Sequence, residues 1–407
     1  MLINLKPLVR HREFRLLYFS QLISFFGSMI TYVAIPYQVH QLTGSTFLVG
    51  LLGAVQLVPL VLCGLVGGTY ADRWNRRRLI LTCEVLLMAG ALALALNSWS
   101  SSPSVILIFA ITGFMQGING FHRPSLEALT QKVVPRSDFP AVAALTSLRS
   151  TSGAILGPAL GGLLVAHSAG FAYLIDMITF LWAFALVAWM RNTDFAPVAQ
   201  EVSPVESFKE GLQFAVKKPE LVGTYLVDIV AMTFAFPVAI YPELAEKWGG
   251  GTAAGFLYSS MSVGSLGVAL LSGWAGRARR HGRMVILAAA LWGLFIIGFG
   301  FSSSLWMAVF FLALAGAADM VSGLYRSTVW NEVIPNDKRG RLAGVEMISY
   351  MIGPLIGNLR IGLQAPLTGT RFAIVSGGAI CVVACLSCIW LLPRFWSYRS
   401  AAVSSEL

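Results

Sequence analysis

Charge is what this 407-residue chain has least of. Only 12% of its residues are Asp, Glu, Lys or Arg, against 56% apolar, whereas a soluble domain carries about twice that share of charge. The deficit excludes a soluble globular protein. Together with a mean hydropathy of +0.72, it marks an integral membrane protein. The five cysteines, Cys63, Cys83, Cys381, Cys385 and Cys388, all lie in apolar runs. No disulfide is therefore expected, and the three on one face of the last run read as small packing residues rather than a soft-metal site. The string G-x-x-x-x-G-K-[ST] does not occur, and no polar stretch could hold a nucleotide-binding domain, which excludes direct ATP drive. H-E-x-x-H, G-x-S-x-G and any metal-ligand cluster are missing too, so no metal, no cofactor and no enzyme active site are expected. The alternating ten-residue pattern of a membrane barrel is absent. The first apolar run is too long for a cleavable signal and ends without a small-residue cleavage site.

What the chain does have is long hydrophobic runs. A spanning helix needs about 20 mostly apolar residues. Twelve such runs stand out, at 14–37, 46–70, 79–96, 105–122, 141–166, 171–190, 221–242, 256–276, 284–301, 305–325, 342–364 and 372–391. The formal charge of +10 first suggests a nucleic-acid partner, but its placement argues against one. With the N-terminus inside, the cytoplasmic segments collect Lys6, Arg10, Arg12 and Arg15, then Arg73, Arg76, Arg77 and Arg78, then Arg123, Lys132 and Arg136. The later ones hold Arg191, Lys209, Lys217 and Lys218, then Arg277 to Arg283, then Arg326 to Arg341. Only Lys247, Arg360 and Arg371 face out, and Arg149 lies within a run. The positive charge is topological, with both termini cytoplasmic.

The chain also repeats. Gly157-Pro158-Ala159-Leu160-Gly161 returns as Gly353-Pro354-Leu355-Ile356-Gly357, Val133-Val134-Pro135 as Val333-Ile334-Pro335, and Ala71-Asp72-Arg73 as Ala275-Gly276-Arg277, each about 200 residues on. Six spans per repeat is the arrangement of parallel transporter halves, with a site between them near mid-membrane. The repeat divides the chain into a half at 1–191, a linker at 192–218, a second half at 219–393 and a cytoplasmic tail at 394–407. In the linker, Ser203-Pro204-Val205-Glu206 reads as a capping box. The helix it opens carries the apolar stripe Phe208, Leu212, Ala215 and Val216.

Two motifs are more particular. Gly68-Thr69-Tyr70-Ala71-Asp72-Arg73-Trp74-Asn75-Arg76-Arg77-Arg78 joins the second and third runs. Gly153-x-x-x-Gly157-Pro158-x-x-Gly161-Gly162 lies in the fifth. Glycines four apart leave a groove into which another helix backbone can press, and the proline bends the helix. Ser260, Gly264 and Gly267 of the eighth run offer a smooth partner face. The first string resembles the loop signature between helices 2 and 3 of the major facilitator superfamily of transporters. The second resembles the fifth-helix signature of that superfamily's antiporters. With the twelve spans and the half-repeat, the resemblance covers nearly the whole chain. Within the superfamily it looks like the drug:proton antiporter branch that includes macrolide efflux proteins and the enterobactin (siderophore) exporter. Val33-Ala34-Ile35-Pro36, Tyr241-Pro242-x-Leu244-Ala245 and Gly255-Phe256-Leu257-Tyr258 look closest to the siderophore exporter. Two departures stand against it. Asn75 occupies a position that is usually glycine, and the fourth-helix arginine of many proton-coupled relatives is missing from Gly113-Phe114-Met115-Gln116-Gly117.

The resemblance implies an all-α membrane protein of twelve helices in two pseudo-symmetric six-helix halves. It implies a gate built from Gly68, Asp72, Arg73, Arg76 and Glu127, and a packing seam at Gly153, Gly157, Pro158, Gly161 and Gly162. Ionisable groups at membrane depth are costly and mark candidate sites. Asp228, Asp319 and Arg149 are the candidates for proton coupling or cargo contact, with Arg149 the cation nearest Asp228 by depth. Glu84, Asp176 and Glu346 lie nearer helix ends, and His122 and Arg123 read as interfacial. Gln21, Gln56, Gln116 and Asn119 would supply oriented polar groups for an amphipathic cargo. The function implied is a secondary active transporter in a bacterial plasma (inner) membrane, exporting small amphipathic molecules by proton antiport. Siderophore-like cargo is favoured; macrolide or multidrug efflux is the alternative, and a non-transporting scaffold a remote one. The expected partners are small-molecule cargo, protons and the lipid bilayer, not nucleic acid, and the expected state is a monomer.

Overall fold

A computed structural model of the chain describes residues 4–73, 75–191, 204–271, 278–335 and 338–399, with backbone alone for 65–73, 204–208, 340–341, 343–344 and 347–348. The described residues are helical almost throughout. In order they form α1 (Lys6–Arg10), α2 (Arg12–Thr43), α3 (Thr46–Arg73), α4 (Arg76–Ser98), α5 (Val105–Val133), α6 (Phe139–Val165) and α7 (Ala169–Ala188). Then come α8 (Pro204–Val216), α9 (Pro219–Ala235), α10 (Tyr241–Trp248), α11 (Gly250–Leu271), α12 (His281–Gly300), α13 (Leu305–Val333), α14 (Arg339–Thr368), α15 (Thr370–Leu391) and α16 (Pro393–Trp396).

Ten spans among the described residues are long and apolar enough to cross a membrane, α9 to α10 counting as one. Helices α6 and α14 have the length, 27 and 30 residues, but not the hydropathy. They carry the glycine-proline strings and a half-buried arginine each, and small and polar residues are what close helix contacts in a membrane require. Capping follows local chemistry. Ser104 and Ser304 accept the amides of Leu107 and Met307 at the starts of α5 and α13. Asn75, where the resemblance leads one to expect glycine, accepts the Arg78 amide at 3.1 Å and so caps α4. The arginines of the same loop also close helix ends. Arg77 donates to the carbonyls of Val187 and Ala188 at the end of α7.

The chain divides into two compact units. One comprises Met1–Gly44, Val55–Pro204 and Gly249–Ser259; the other comprises Ser45–Ala54, Val205–Trp248 and Ser260–Leu407. The boundaries fall inside α3 and α11. In the first unit α2 packs on α6 and α7, and α4 on α5 and α7. In the second α9 packs on α14 and α15, and α12 on α13 and α15. The same pairing scheme appears twice, as the sequence repeat requires.

Two expectations need correction. The seventh run, 221–242, is not one helix. Pro237 cannot donate a helical hydrogen bond, so α9 stops at Ala235, and a 3-10 turn at Val238–Ile240 leads into α10. Asn358 of α14 accepts the freed amide of Ala239 at 3.0 Å. The linker helix α8 forms from Pro204 as predicted, but only part of the expected stripe docks. Ala215 is buried among Leu221, Tyr225, Trp330 and Ile334, with Phe214 packed beside it, whereas Leu212 and Val216 are exposed. Phe208 has no described side chain.

Candidate functional site

Asp319 and Arg326 are seven residues apart on α13, two turns along one face. Arg326 is 3% exposed. A guanidinium buried that deeply persists only when paired. Its Nη1 forms an ion pair with Oδ1 of Asp228 on α9, and its Nη2 lies 3.4 Å from Oδ1 of Asp319. The Tyr350 ring of α14 lies 5.5 Å from the guanidinium carbon. One turn on, Trp330 donates its indole N–H to Thr224 at 2.8 Å and packs between Tyr225 and Tyr350. Three helices thus converge on one cation and two acids, a group with one negative charge in excess when all three are ionised. A cavity of about 300 Å³ opens beside it, lined by these three charged residues and by Met232, Phe236, Met261, Trp292 and Tyr350 among others.

Asp228 and Asp319 are therefore brought together, but the cation is not the expected one. The loop-charge pattern assigns Arg326 to a cytoplasmic basic loop; it lies within α13. Arg149, expected to be the cation for Asp228, sits on α6 in the first unit and donates to Oε1 of Gln21 on α2. Glu127 lies within electrostatic reach of both Arg149 and Arg123. Gln116 and Asn119 meet each other at 3.2 Å on α5, and Gln56 is half-buried on α3. His122 is buried, and its Nε2 lies 3.1 Å from Oε1 of Glu84. Asp176 is buried as well and accepts from the Thr31 hydroxyl at 2.6 Å. Arg360 lies inside α14 and donates to Gln364 at 2.5 Å. The signal for Arg326 in the sequence is a seven-residue acid–base spacing in the tenth run.

The glycine string serves two neighbours. Gly153, Gly157 and Gly161 face Phe25, Met29 and Ile30 of α2. Gly162 faces Gly251 and Gly255 of α11, and Ser259 donates to the Ile155 carbonyl at 2.8 Å. Within the first unit the partner face is thus Gly251, Gly255 and Ser259. Gly264 instead meets Ala313 of α13, and a methyl group added at Gly267 would meet nothing within 4 Å among the described residues. Of the loop motif, Gly68, Asp72 and Arg73 lie at the end of α3, with side chains outside the described residues. Arg76 begins α4 and lies 3.4 Å from the Ala128 carbonyl of α5.

The profile of the transmembrane secretion effector family matches residues 4–405. The chain belongs to this family of the major facilitator superfamily. It is 31% identical to the enterobactin exporter EntS of Shigella boydii serotype 4 over 97% of its length and 96% of that protein's. The same exporter of Shigella flexneri is 30% identical, with the same coverage. Among solved structures, the fold is shared with a bacterial homologue of the human lysosomal transporter Spinster in an inward-facing, unoccupied conformation. The TM-score is 0.74 at 14% identity, covering 94% of this chain and 97% of that one. A POT family transporter in complex with 5-aminolevulinic acid gives 0.73 at 12% identity, covering 95% and 97%. The protein is accordingly a multi-pass membrane transporter of small molecules, not an enzyme.

Proposed function

We propose that this transporter exports a small amphipathic, siderophore-like molecule across the bacterial inner membrane, driven by inward proton flow, with both termini in the cytoplasm. The observation that carries the reading is the end-to-end similarity to enterobactin exporters. The cavity beside Asp228, Asp319 and Arg326 supports it, because amphipathic cargo needs apolar walls with a few oriented polar groups. In this reading Asp228 carries the proton. Protonated, it no longer engages the charge of Arg326, and the guanidinium is left to Asp319 alone. A proton and a cargo group that binds Asp319 then compete through one shared cation, which is what exchange requires. One proton moving inward across 100 mV releases about 2.3 kcal/mol. Gln21, Gln56, Gln116, Asn119 and Arg149 are the first-half candidates for cargo contact. Gly68, Asp72, Arg73, Arg76 and Glu127 are the candidates for the cytoplasmic gate.

Proteoliposomes test the coupling. Asp228→Asn is expected to abolish pH-driven uphill efflux while permitting downhill exchange of cargo. Uphill transport that survives in this variant moves the proton to Asp319, and uphill transport that survives in both variants removes the carboxylate mechanism. Binding of a macrolide but not of a catecholate siderophore would move the cargo to the drug-export side of the branch.

A further inference from the structure

The cavity of the second unit is lined by a side chain whose hydrogen-bond donor the ion pairs do not use. Trp292 of α12 lines it and is 2% exposed. Its indole Nε1–H is buried and has no hydrogen-bond partner among the described residues, although a buried indole N–H ordinarily finds one. The same cavity holds an acceptor with spare capacity. The side chain of Asp319 is 37% exposed, against 6% for Asp228, and its contact with Arg326 is 3.4 Å, longer than a strong charge-assisted bond of about 2.7–2.9 Å. The Ser265 hydroxyl does not compete for it, because it donates to the Gly316 carbonyl at 2.9 Å. One cavity is therefore lined by a residue carrying an unpartnered N–H, by a carboxylate acceptor and by the aromatic residues Phe236, Trp292 and Tyr350.

We propose that Asp319 and Trp292 recognise the vicinal hydroxyls of a catechol in its protonated, metal-free form, and that they reject the iron-loaded form. The inference rests on the siderophore reading above. One catechol hydroxyl donates to Asp319, and the neighbouring oxygen accepts from Trp292. In an iron complex both oxygens are deprotonated and engaged by the metal. No O–H remains for Asp319, and the added negative charge meets a cluster that is already negative by one. Like charges in a water-poor site repel strongly, and a repulsive element of this kind is how a site separates two forms of one ligand. The transporter would then release the empty chelator without returning captured iron to the outside.

Titration of the purified protein tests this with three probes: metal-free enterobactin, its gallium(III) complex, which is redox-inert, and the O-methylated ligand. Wild-type protein is expected to bind the metal-free ligand at least about tenfold more tightly than either of the others, the worth of one good polar contact. This comparison needs no variant. Asp319→Asn should weaken the metal-free ligand and tighten the gallium complex, two changes of opposite sign that misfolding cannot produce. Trp292→Phe should weaken only the metal-free ligand. Binding of the gallium complex within about twofold of the metal-free ligand in wild type overturns the proposal, as does a preference that survives Asp319→Asn. If the proposal fails while proteoliposomes still export the metal-free ligand, the exporter reading stands. If wild type binds neither form at millimolar concentration, the siderophore reading falls and takes the inference with it.

Discussion

Gly162→Ala is the smallest change that bears on how α6 meets α11. A methyl group at position 162 would lie 2.5 Å from the Gly255 Cα and 2.6 Å from the Gly251 carbonyl oxygen, where ordinary contact begins at 3.4 Å. Both obstacles are backbone, so no side chain can swing aside. The helices must part by roughly 1 Å, and overpacking of this kind costs about 1–3 kcal/mol. If the α6–α11 contact closes one access state of the transport cycle, its population should fall roughly 5- to 160-fold. The assay is cross-linking of cysteines at 155 and 259, where Ser259 now bonds to the Ile155 carbonyl at 2.8 Å. A short bifunctional thiol reagent should react at least about fivefold more slowly in the Gly162→Ala background, with slower cargo transport. Two controls fix the interpretation. Gly267→Ala meets nothing within 4 Å among the described residues and should change neither measurement, whereas Gly157→Ala presses on Met29 of α2 and should lower stability without slowing the cross-link. Equal cross-linking in Gly162→Ala and wild type would mean that the glycine contact does not set the α6–α11 spacing.

Two further outcomes follow from packing. Glu243 of α10 accepts from Thr46 at the start of α3, Thr370 at the start of α15 and Lys247. Glu243→Gln replaces charge-assisted bonds, each worth about 1.5–3 kcal/mol, with neutral ones. Amide hydrogen exchange at residues 45–50 should speed up, and an unchanged rate would mean that Glu243 does not hold α3 in place. Phe395 of α16 is fully buried against Gly223 and Gly282. Phe395→Ala should cost about 3–5 kcal/mol and lower the thermal midpoint in detergent by several degrees; a midpoint within about 1 °C of wild type would contradict that.

The helical passages and the half-repeat are legible in the sequence because lipid imposes one period and one length on each, and nothing in 14–37 or 372–391 competes with that signal. Sequence and structure part where a residue's role depends on its depth and rotation about a helix. Arg326 falls at the end of its apolar run, so a count of loop charges absorbs it, although its spacing from Asp319 places both on one face. Gly153, Gly157 and Gly161 form one row at a four-residue interval, while Gly162 lies a further 100° around the helix. The string therefore looks like a single groove but serves α2 and α11 separately. Gly264 and Gly267 are attractive partners by composition, yet α11 meets α6 nearer its start, a register that spacing within one helix cannot report. Pro237 is visible, but not the Asn358 side chain that makes its break tolerable. The buried pair of Glu84 and His122 escapes a sequence reading because each lies near an expected helix end, where a polar residue needs no partner.

The division of α3 and α11 between the two units bears on how the halves of such transporters can be exchanged. Cutting the gene at the linker would send Ser45–Ala54 with the first half, although it packs in the second unit, and Gly249–Ser259 with the second half, although it packs in the first. Both transferred ends meet their hosts through backbone. Gly50 abuts Asn358 and Gly362, as Gly255 abuts Pro158 and Gly162. A chimaera of this protein with a relative would therefore fail or work according to whether positions 50, 358 and 362, and 162, 251 and 255, arrive as matched small-residue sets. Total identity between the exchanged halves would be a poor guide, because six positions on opposite sides of the splice decide whether the helices can close.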